Sequence, residues 1–204
     1  RSTLMLQGDF SIANAFVGGP LNSFQALDVN FGGVTAINGS VTKLQIGTVT
    51  GTFEIVGSLG VATVGSINGT FATTGAIKKL TVGSVNNALI LSGANLGNDG
   101  LFGGGDDTFA AGSIDTLIID APVVNSQIEA GVNPGADGLY GTADDFLSGG
   151  GMISKITLNG SADSTTHFEA GQFGIVKVPA LNTTKSPKKL ANPLLDPNFV
   201  VPKA

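Results

Sequence analysis

The sequence predicts an all-β fold, a single-stranded parallel β-helix (β-solenoid) with about eighteen residues in each coil. Two observations support this prediction: a short apolar pattern recurs along the chain, and the composition suits strands. Glycine accounts for 31 of the 204 residues and charged residues for only 12%. Val, Ile, Thr and Phe, which fit a pleated and half-buried surface, are plentiful. No stretch of a dozen residues has the apolar periodicity of a helix.

The recurring pattern has a small residue first, apolar residues at positions two, five and seven, and a turn former at position eight. Seven copies begin at Ser23, Ser40, Ser58, Ala76, Ser113, Met152 and Gln172. Their starts are 17, 18, 18, 37, 39 and 20 residues apart. Two nineteen-residue Asp/Gly-rich insertions, residues 94–112 (loop 1) and 132–150 (loop 2), account for the two long spacings. A strand repeat with so short a period is typical of a solenoid.

The pattern also predicts which side chains face the core and which face outward. The predicted inward set is Val41, Leu44, Ile46, Phe53 and Ile55. The fourth position of five consecutive units holds Lys43, Val61, Lys79, Thr116 and Lys155, which stacking would align into an outward ladder. Lysines would then alternate with uncharged residues, so that like charges are not adjacent. An antiparallel β-sandwich also uses many short strands, but it does not need an eighteen-residue period.

The chain divides into three parts. Residues 1–22 form an apolar segment that would act as a cap or an assembly surface, and residues 23–181 form the solenoid. Residues 182–204 form a Pro-rich, extended tail without periodicity. A solenoid leaves unpaired strand edges at both ends, so we expect the tail to lock onto a neighbouring subunit. The alternatives are that the tail folds back on its own solenoid or acts as a linker.

The two loops contain nearly matching segments, "GNDGLFGGGDD" and "GADGLYGTADD", which are offset by 38 residues. They should leave the solenoid at the same corner of successive coils, with each Leu and the following Phe or Tyr as anchors. Six carboxylates would then lie close together: Asp99, Asp106, Asp107, Asp137, Asp144 and Asp145. Neither loop has a Lys or Arg, and oxygen ligands on flexible glycine backbones suit Ca²⁺. The alternative is a pair of Asp-Gly turns whose acids face water. The spacing is not that of an EF-hand.

Several functions are disfavoured by composition. The net charge of −5, the absence of Trp and the lack of a basic patch argue against nucleic-acid binding, and no apolar run approaches the length of a membrane span. The single histidine, His167, is expected to share a solvated outer face with Glu169, and the Tyr140 hydroxyl is expected to be incidental. Because no nucleophile, base and acid are arranged as a triad, the sequence does not predict an enzyme.

Coils of the form "S-φ-x-x-L-x-φ-G" (φ apolar) interrupted by "DGxxGxxDD" loops resemble the β-strand-repeat proteins of bacterial cell surfaces, which are akin to filamentous adhesins. The resemblance covers residues 23–181. It implies an extracellular, cell-surface protein without enzymatic activity. The hypothesis is a structural subunit whose partners are copies of itself, stacked end to end into a filament or surface layer. The alternative is an adhesin or binding module of a larger surface protein, with surface glycans as partners.

Overall fold

The chain folds into two parallel β-sheets that face one another across an apolar core. The computed structural model describes residues 2–178, 188–189 and 196–202, and within those residues every regular element is a strand. Their pairing is parallel except in three short antiparallel pairs. This topology matches the predicted all-β, solenoid-like class and is not that of an antiparallel sandwich. None of the described residues form a helix that could cross a membrane.

Sheet A carries the first half of each repeat. Its strands are β1 (Thr3–Met5), β2 (Phe10–Ile12), β4 (Leu21–Phe31), β6 (Val41–Val49), β8 (Leu59–Ile67), β10 (Ile77–Asn86), β14 (Ser113–Ile114), β15 (Leu117–Ile119), β16 (Val123–Val124), β20 (Met152–Leu158), β22 (Gln172–Val178) and β23 (Lys188–Lys189). Val41 pairs with Leu59, and Leu59 pairs with Ile77, eighteen residues further each time. Ile77 then pairs with Ile114, on the far side of loop 1.

Sheet B carries the second half of each repeat. Its strands are β3 (Ala15–Val17), β5 (Val34–Ile37), β7 (Thr52–Ile55), β9 (Thr70–Thr73), β11 (Leu89–Ser92), β17 (Gln127–Ala130), β21 (His167–Ala170) and β24 (Phe199–Val200). Phe24 of sheet A stacks with Phe53 of sheet B at a centroid distance of 6.1 Å, and Phe53 stacks in turn on Phe71 at 5.8 Å. The two sheets therefore share one core.

The predicted inward residues are confirmed. Val41, Leu44, Ile46, Phe53 and Ile55 are all at most 1% exposed. The outward ladder is also confirmed where its register is recorded, because Lys43 pairs with Val61 and Val61 with Lys79. An uncharged residue thus separates the two ammonium groups along the sheet, which avoids a direct like-charge pair.

The C-terminal end of the chain returns to the solenoid at residues 196–202. β24 pairs in parallel with β21, and Phe199 stacks on Phe168 at 5.0 Å and is 4% exposed. This arrangement is the alternative in which the tail folds back on its own solenoid. The expectation that this part of the tail locks onto a neighbour is therefore wrong, because Phe199 already fills the end of its own core. Most of the remaining tail lies outside the described residues.

Candidate functional site

Each loop leaves sheet B through a short antiparallel hairpin. In loop 1, β12 (Ala94–Asn95) pairs with β13 (Thr108–Phe109), and in loop 2, β18 (Val132–Asn133) pairs with β19 (Phe146–Leu147). Both loops then fold over the outer face of sheet B. Their apolar side chains form a second, smaller core with that face, built around Ala72, Leu91, Ala94, Leu96, Val132 and Tyr140. The outer face of sheet B is therefore covered, unlike that of an isolated sheet.

The two loops contact each other through their aromatic residues. The rings of Phe102 and Tyr140 stack at a centroid distance of 5.3 Å and an interplanar angle of 20°. Tyr140 is 8% exposed, and its hydroxyl donates a hydrogen bond to the Val132 carbonyl at 3.3 Å. This bond joins the tip of loop 2 to the strand at which the loop begins. The neighbouring Leu101 and Leu139 are 50% and 61% exposed. The aromatic anchors are confirmed, but the expectation that the leucines also anchor the loops is wrong.

In loop 1 each of the three predicted carboxylates accepts a hydrogen bond from an amide of the same loop. The pairs are Leu101 N to Asp99 Oδ1 (2.8 Å), Asn98 N to Asp106 Oδ2 (2.7 Å) and Gly103 N to Asp107 Oδ2 (2.7 Å). Asp99 and Asp106 are exposed, whereas Asp107 is partly buried. Burial, and then the nearby charges of Asp106 and Asp99, raise the pKa of Asp107.

Loop 2 repeats this arrangement. The pairs are Leu139 N to Asp137 Oδ1 (2.8 Å), Ala136 N to Asp144 Oδ2 (2.7 Å) and Thr142 N to Asp145 Oδ2 (2.9 Å). The Thr142 hydroxyl also donates to Asp144 at 2.7 Å, and this bond lowers the pKa of Asp144. Asp137 and Asp144 are exposed, but Asp145 is only 4% exposed. The aspartates thus shape both loops through hydrogen bonds to their own backbone.

Two glycines at equivalent places allow the loops to close. Gly97 and Gly135 have positive φ angles of 70° and 72°, and a Cβ at either position would meet the carboxylate of Asp106 or Asp144. Backbone at these angles disfavours any residue with a Cβ.

Gly135→Ala is expected to open loop 2, because it adds both backbone strain and a clash with Asp144. The matched control is Gly138→Ala: Gly138 has a φ of 69°, but its Cβ would meet nothing within 4 Å. The backbone strain alone is worth about 1–2 kcal/mol. Hydrogen exchange at the Ala136 and Asp137 amides, both of which donate to Asp144, should accelerate much more in the first variant. Equal acceleration in the two variants would show that the Asp144 contact is unimportant.

The sequence pattern did not identify the glutamates as candidate site residues. The chain has only three, Glu54, Glu129 and Glu169, and all three lie at the same position on the outer face of sheet B. The register runs from Glu54 through Ala72, Leu91 and Glu129 to Glu169. Their exposures are 2%, 1% and 1%. The expectation of a solvated Glu169 is therefore wrong, because the loops cover the face on which it lies.

Glu129 and Glu169 pair directly across neighbouring parallel strands, beneath loop 2. The Glu169 carboxyl lies close enough to the carboxyls of Glu129 and Asp145 for each of them to affect its pKa. Among the described residues, four oxygen atoms of this cluster have no hydrogen-bond donor: both of Glu129, Oε2 of Glu169 and Oδ1 of Asp145. We call Glu129, Glu169 and Asp145 the buried carboxylate cluster.

The electrostatics of the buried carboxylate cluster are unfavourable without a counter-charge. Burial, followed by the charge of Glu169, raises the pKa of Glu129 well above its usual value. Burial, followed by the charge of Asp145, raises the pKa of Glu169 to about 8. Two carboxylates about 4 Å apart repel by about 4 kcal/mol at the dielectric typical of protein sites. Either bound protons or a bound cation must therefore offset this repulsion in the folded protein.

Loop 1 has a smaller counterpart. Glu54 Oε1 accepts a hydrogen bond from the Leu96 amide at 2.9 Å, and its pKa is raised chiefly by burial, with Asp107 adding a smaller repulsion. Asp107 Oδ1 has no partner within the described residues. Glu54 is therefore partly satisfied by the loop backbone, whereas Glu129 is not.

The surrounding sequence supplies no positive side chain. From residue 80 to residue 154 the chain has no Lys, Arg or His, yet nine of its fifteen acidic residues lie there. His167 is the nearest candidate along the chain, two residues before Glu169 on β21, and its Nδ1 has no partner among the described residues. In the described part of the chain no three or more His, Asp or Glu side chains already have the arrangement of a metal site. Cation binding would therefore require side-chain rotation.

Comparison of the chain with protein-family models, with curated proteins and with solved structures found no match. The resemblance to bacterial cell-surface repeat proteins therefore stays a prediction, and the functional interpretation depends on the geometry described above.

Proposed function

We propose that this chain is a non-enzymatic, extracellular structural protein, a β-solenoid that stacks end to end into a filament or surface layer. In this proposal each coil has about eighteen residues, and the two nineteen-residue loops are insertions into successive coils. The parallel register along the stack supports it, because the outermost strands at the N-terminal end leave edges of both sheets that an incoming copy can extend. The partners are then copies of the chain itself.

The observation that carries the proposal is the open N-terminal end of the stack. β1, β2 and β3 are the outermost strands there, and each pairs on one side only among the described strands. Large apolar side chains are exposed around this end: Met5 (53%), Phe10 (42%), Phe16 (72%) and Leu27 (49%). Unpaired strand edges beside exposed apolar groups favour pairing with another chain.

Calcium at the paired loops is part of the same proposal. Asp99, Asp106 and Asp107 of loop 1 and Asp137, Asp144 and Asp145 of loop 2 remain the proposed ligands. The contact between Phe102 and Tyr140 supports the pairing of the loops. Their amide hydrogen bonds leave the second oxygen of several carboxylates free for a cation. Bound Ca²⁺ would stiffen the loops against sheet B and so stabilise the folded chain.

Light scattering as a function of concentration tests the assembly. The wild-type protein should gain mass as its concentration rises, while a Phe10→Ser, Phe16→Ser double variant should remain monomeric at the same concentrations. The matched control is Val61→Ser, which removes an apolar side chain of 43% exposure from the middle of sheet A and should assemble normally. A wild-type protein that stays monomeric, or a double variant that still assembles, would contradict the proposal.

The alternative is a binding module with surface glycans as partners, and a groove beside loop 2 favours it. The groove is lined by Thr70, Asn87, Phe102, Asn125, Gln127 and Tyr140, together with the aliphatic side chains of Ala88, Leu89 and Leu139. Asn87 and Asn125 have positive φ angles, and Asn125 Nδ2 donates to Asn87 Oδ1 at 2.7 Å, which fixes two side-chain amides at the rim. A lasting monomer in the scattering experiment would favour this alternative.

A further inference from the structure

We propose that Glu129, Glu169 and Asp145 form a buried binding site for Ca²⁺ that fastens loop 2 to the outer face of sheet B. This site differs from the loop sites proposed above: it shares only Asp145 with them, and two of its three carboxylates come from sheet strands. It does not depend on the proposed assembly, because all three residues belong to one chain.

The first argument is the arrangement of the carboxylates. Neighbouring parallel strands lie about 4.8 Å apart, so the direct pairing of Glu129 with Glu169 puts two acidic side chains side by side on a covered face. Like charges placed in this way are destabilising, and apolar residues such as Leu91, at the same position one strand earlier, would pack there at no electrostatic cost. The pair of glutamates therefore needs a compensating partner.

The second argument is that Glu129 is completely unpartnered. It is 1% exposed, and neither of its oxygens accepts a hydrogen bond from any described residue. Buried charged groups in proteins are normally paired or coordinate a metal. With Glu169 Oε2 and Asp145 Oδ1, the two Glu129 oxygens make four free acceptors in one small region.

The third argument concerns the chemical class of the ligand. All the ligand atoms are oxygens from three carboxyl groups. Such a set suits hard divalent cations and not zinc or a redox metal. Mg²⁺ demands near-ideal octahedral geometry and keeps several waters, which a site this enclosed cannot hold. Ca²⁺ tolerates irregular ligand sets and bidentate carboxylates. The half-buried hydroxyl of Thr142 and the loop carbonyls can complete its shell as loop 2 adjusts.

The test uses Tb³⁺ as a luminescent substitute for Ca²⁺, because the chain offers a single internal sensitiser. Tyr140 is the only tyrosine and there is no tryptophan, and Tyr140 lies near enough to Glu129 and Asp145 for their charges to affect its hydroxyl. Tb³⁺ in the buried site should therefore emit on tyrosine excitation, and excess Ca²⁺ should remove that emission. Tyr140→Phe should lose the emission while calorimetric Ca²⁺ binding remains.

The deciding variants are Glu129→Gln and Glu169→Gln, which keep the side-chain shape and remove one charge each. Each is expected to weaken Ca²⁺ binding at least about tenfold, since loss of even an outer-shell partner costs that much. The matched control is Asp115→Asn, which removes an exposed carboxylate between β14 and β15 of sheet A, outside every proposed site, and should keep the tyrosine-sensitised signal. An Asp99→Asn, Asp137→Asn double variant tests the exposed loop carboxylates separately. Melting in a chelator checks that each variant is folded.

The outcomes separate this inference from the loop-calcium proposal. Loss of binding in the glutamate variants, with retention in the Asp99, Asp137 variant, supports the buried site. Unchanged binding in Glu129→Gln and Glu169→Gln overturns it, and loss in the Asp99, Asp137 variant would then favour the exposed loops. Absence of any Ca²⁺ binding by the wild-type protein overturns both and means that protons alone neutralise the buried carboxylate cluster.

Discussion

Phe71→Ala is expected to lower the free energy of unfolding by about 3–5 kcal/mol, the usual cost of removing a fully buried phenylalanine. Phe71 is 0% exposed and lies in the middle of sheet B, stacked on Phe53 with an interplanar angle of only 8°. Its strand partner on the other side is Ile90. In a stack of coils each unit contacts only its neighbours, so a cavity at Phe71 weakens the coupling between the two halves of the protein.

Urea denaturation followed by circular dichroism measures this effect. Phe16→Ala is the matched control, because Phe16 is 72% exposed and its truncation should change the free energy of unfolding of the monomer by less than about 0.5 kcal/mol. A loss below about 1 kcal/mol in Phe71→Ala would mean that the side chain is not packed in a continuous core.

The second large effect is on the pH dependence of the cation-free protein. The folded-state pKa of Glu169 is raised to about 8, and that of Glu129 is also raised, so the folded chain holds protons that the unfolded chain has released. The stabilisation is complete below the unfolded-state pKa and is lost as the pH rises towards the folded-state value. In a chelator, stability should therefore fall between about pH 5 and pH 8, by up to about 1.4 kcal/mol per pH unit for each extra bound proton.

Thermal melting in EDTA across this pH range is the measurement. The Glu129→Gln, Glu169→Gln double variant cannot hold these protons and should show a flatter profile with a higher melting temperature at pH 8. Asp99→Asn removes an exposed loop carboxylate and should leave the wild-type slope in place. If the double variant and the wild-type protein have the same slope, the buried glutamates are not the source of the pH dependence.

The apolar core could be predicted from the sequence because it follows a local period. Val41, Leu44 and Ile46 recur as equivalents in each coil, and side chains on a strand alternate between two faces, so the inward face is readable without a structure. Parallel stacking followed from the same period. The return of Phe199 to the core could not be predicted, because the segment before it has no periodicity. The alternation of faces does not predict contacts between residues that are far apart in the sequence.

The buried carboxylate cluster could not be predicted because local alternation assigns Glu129 and Glu169 to the outer face. That assignment is correct, but alternation cannot show that an inserted loop covers the face. A signal was nevertheless present: the only three glutamates occupy one position of the repeat, in "TFEI", "QIEA" and "HFEA". The loop aspartates were found because their segments nearly repeat. Their hydrogen bonds to loop amides show a structural role. The amino-acid composition alone cannot distinguish this role from cation binding.

The most direct test of a cation-fastened loop is the melting temperature of the wild-type protein at pH 8 with and without Ca²⁺. A cation that binds only the folded state stabilises it by about 2.7 kcal/mol at one hundred times its dissociation constant. Because protons compete for the same oxygens, the gain should grow from pH 5 to pH 8, and it should be much smaller in the Glu129→Gln, Glu169→Gln double variant. A melting temperature that Ca²⁺ does not change at pH 8 would contradict the account.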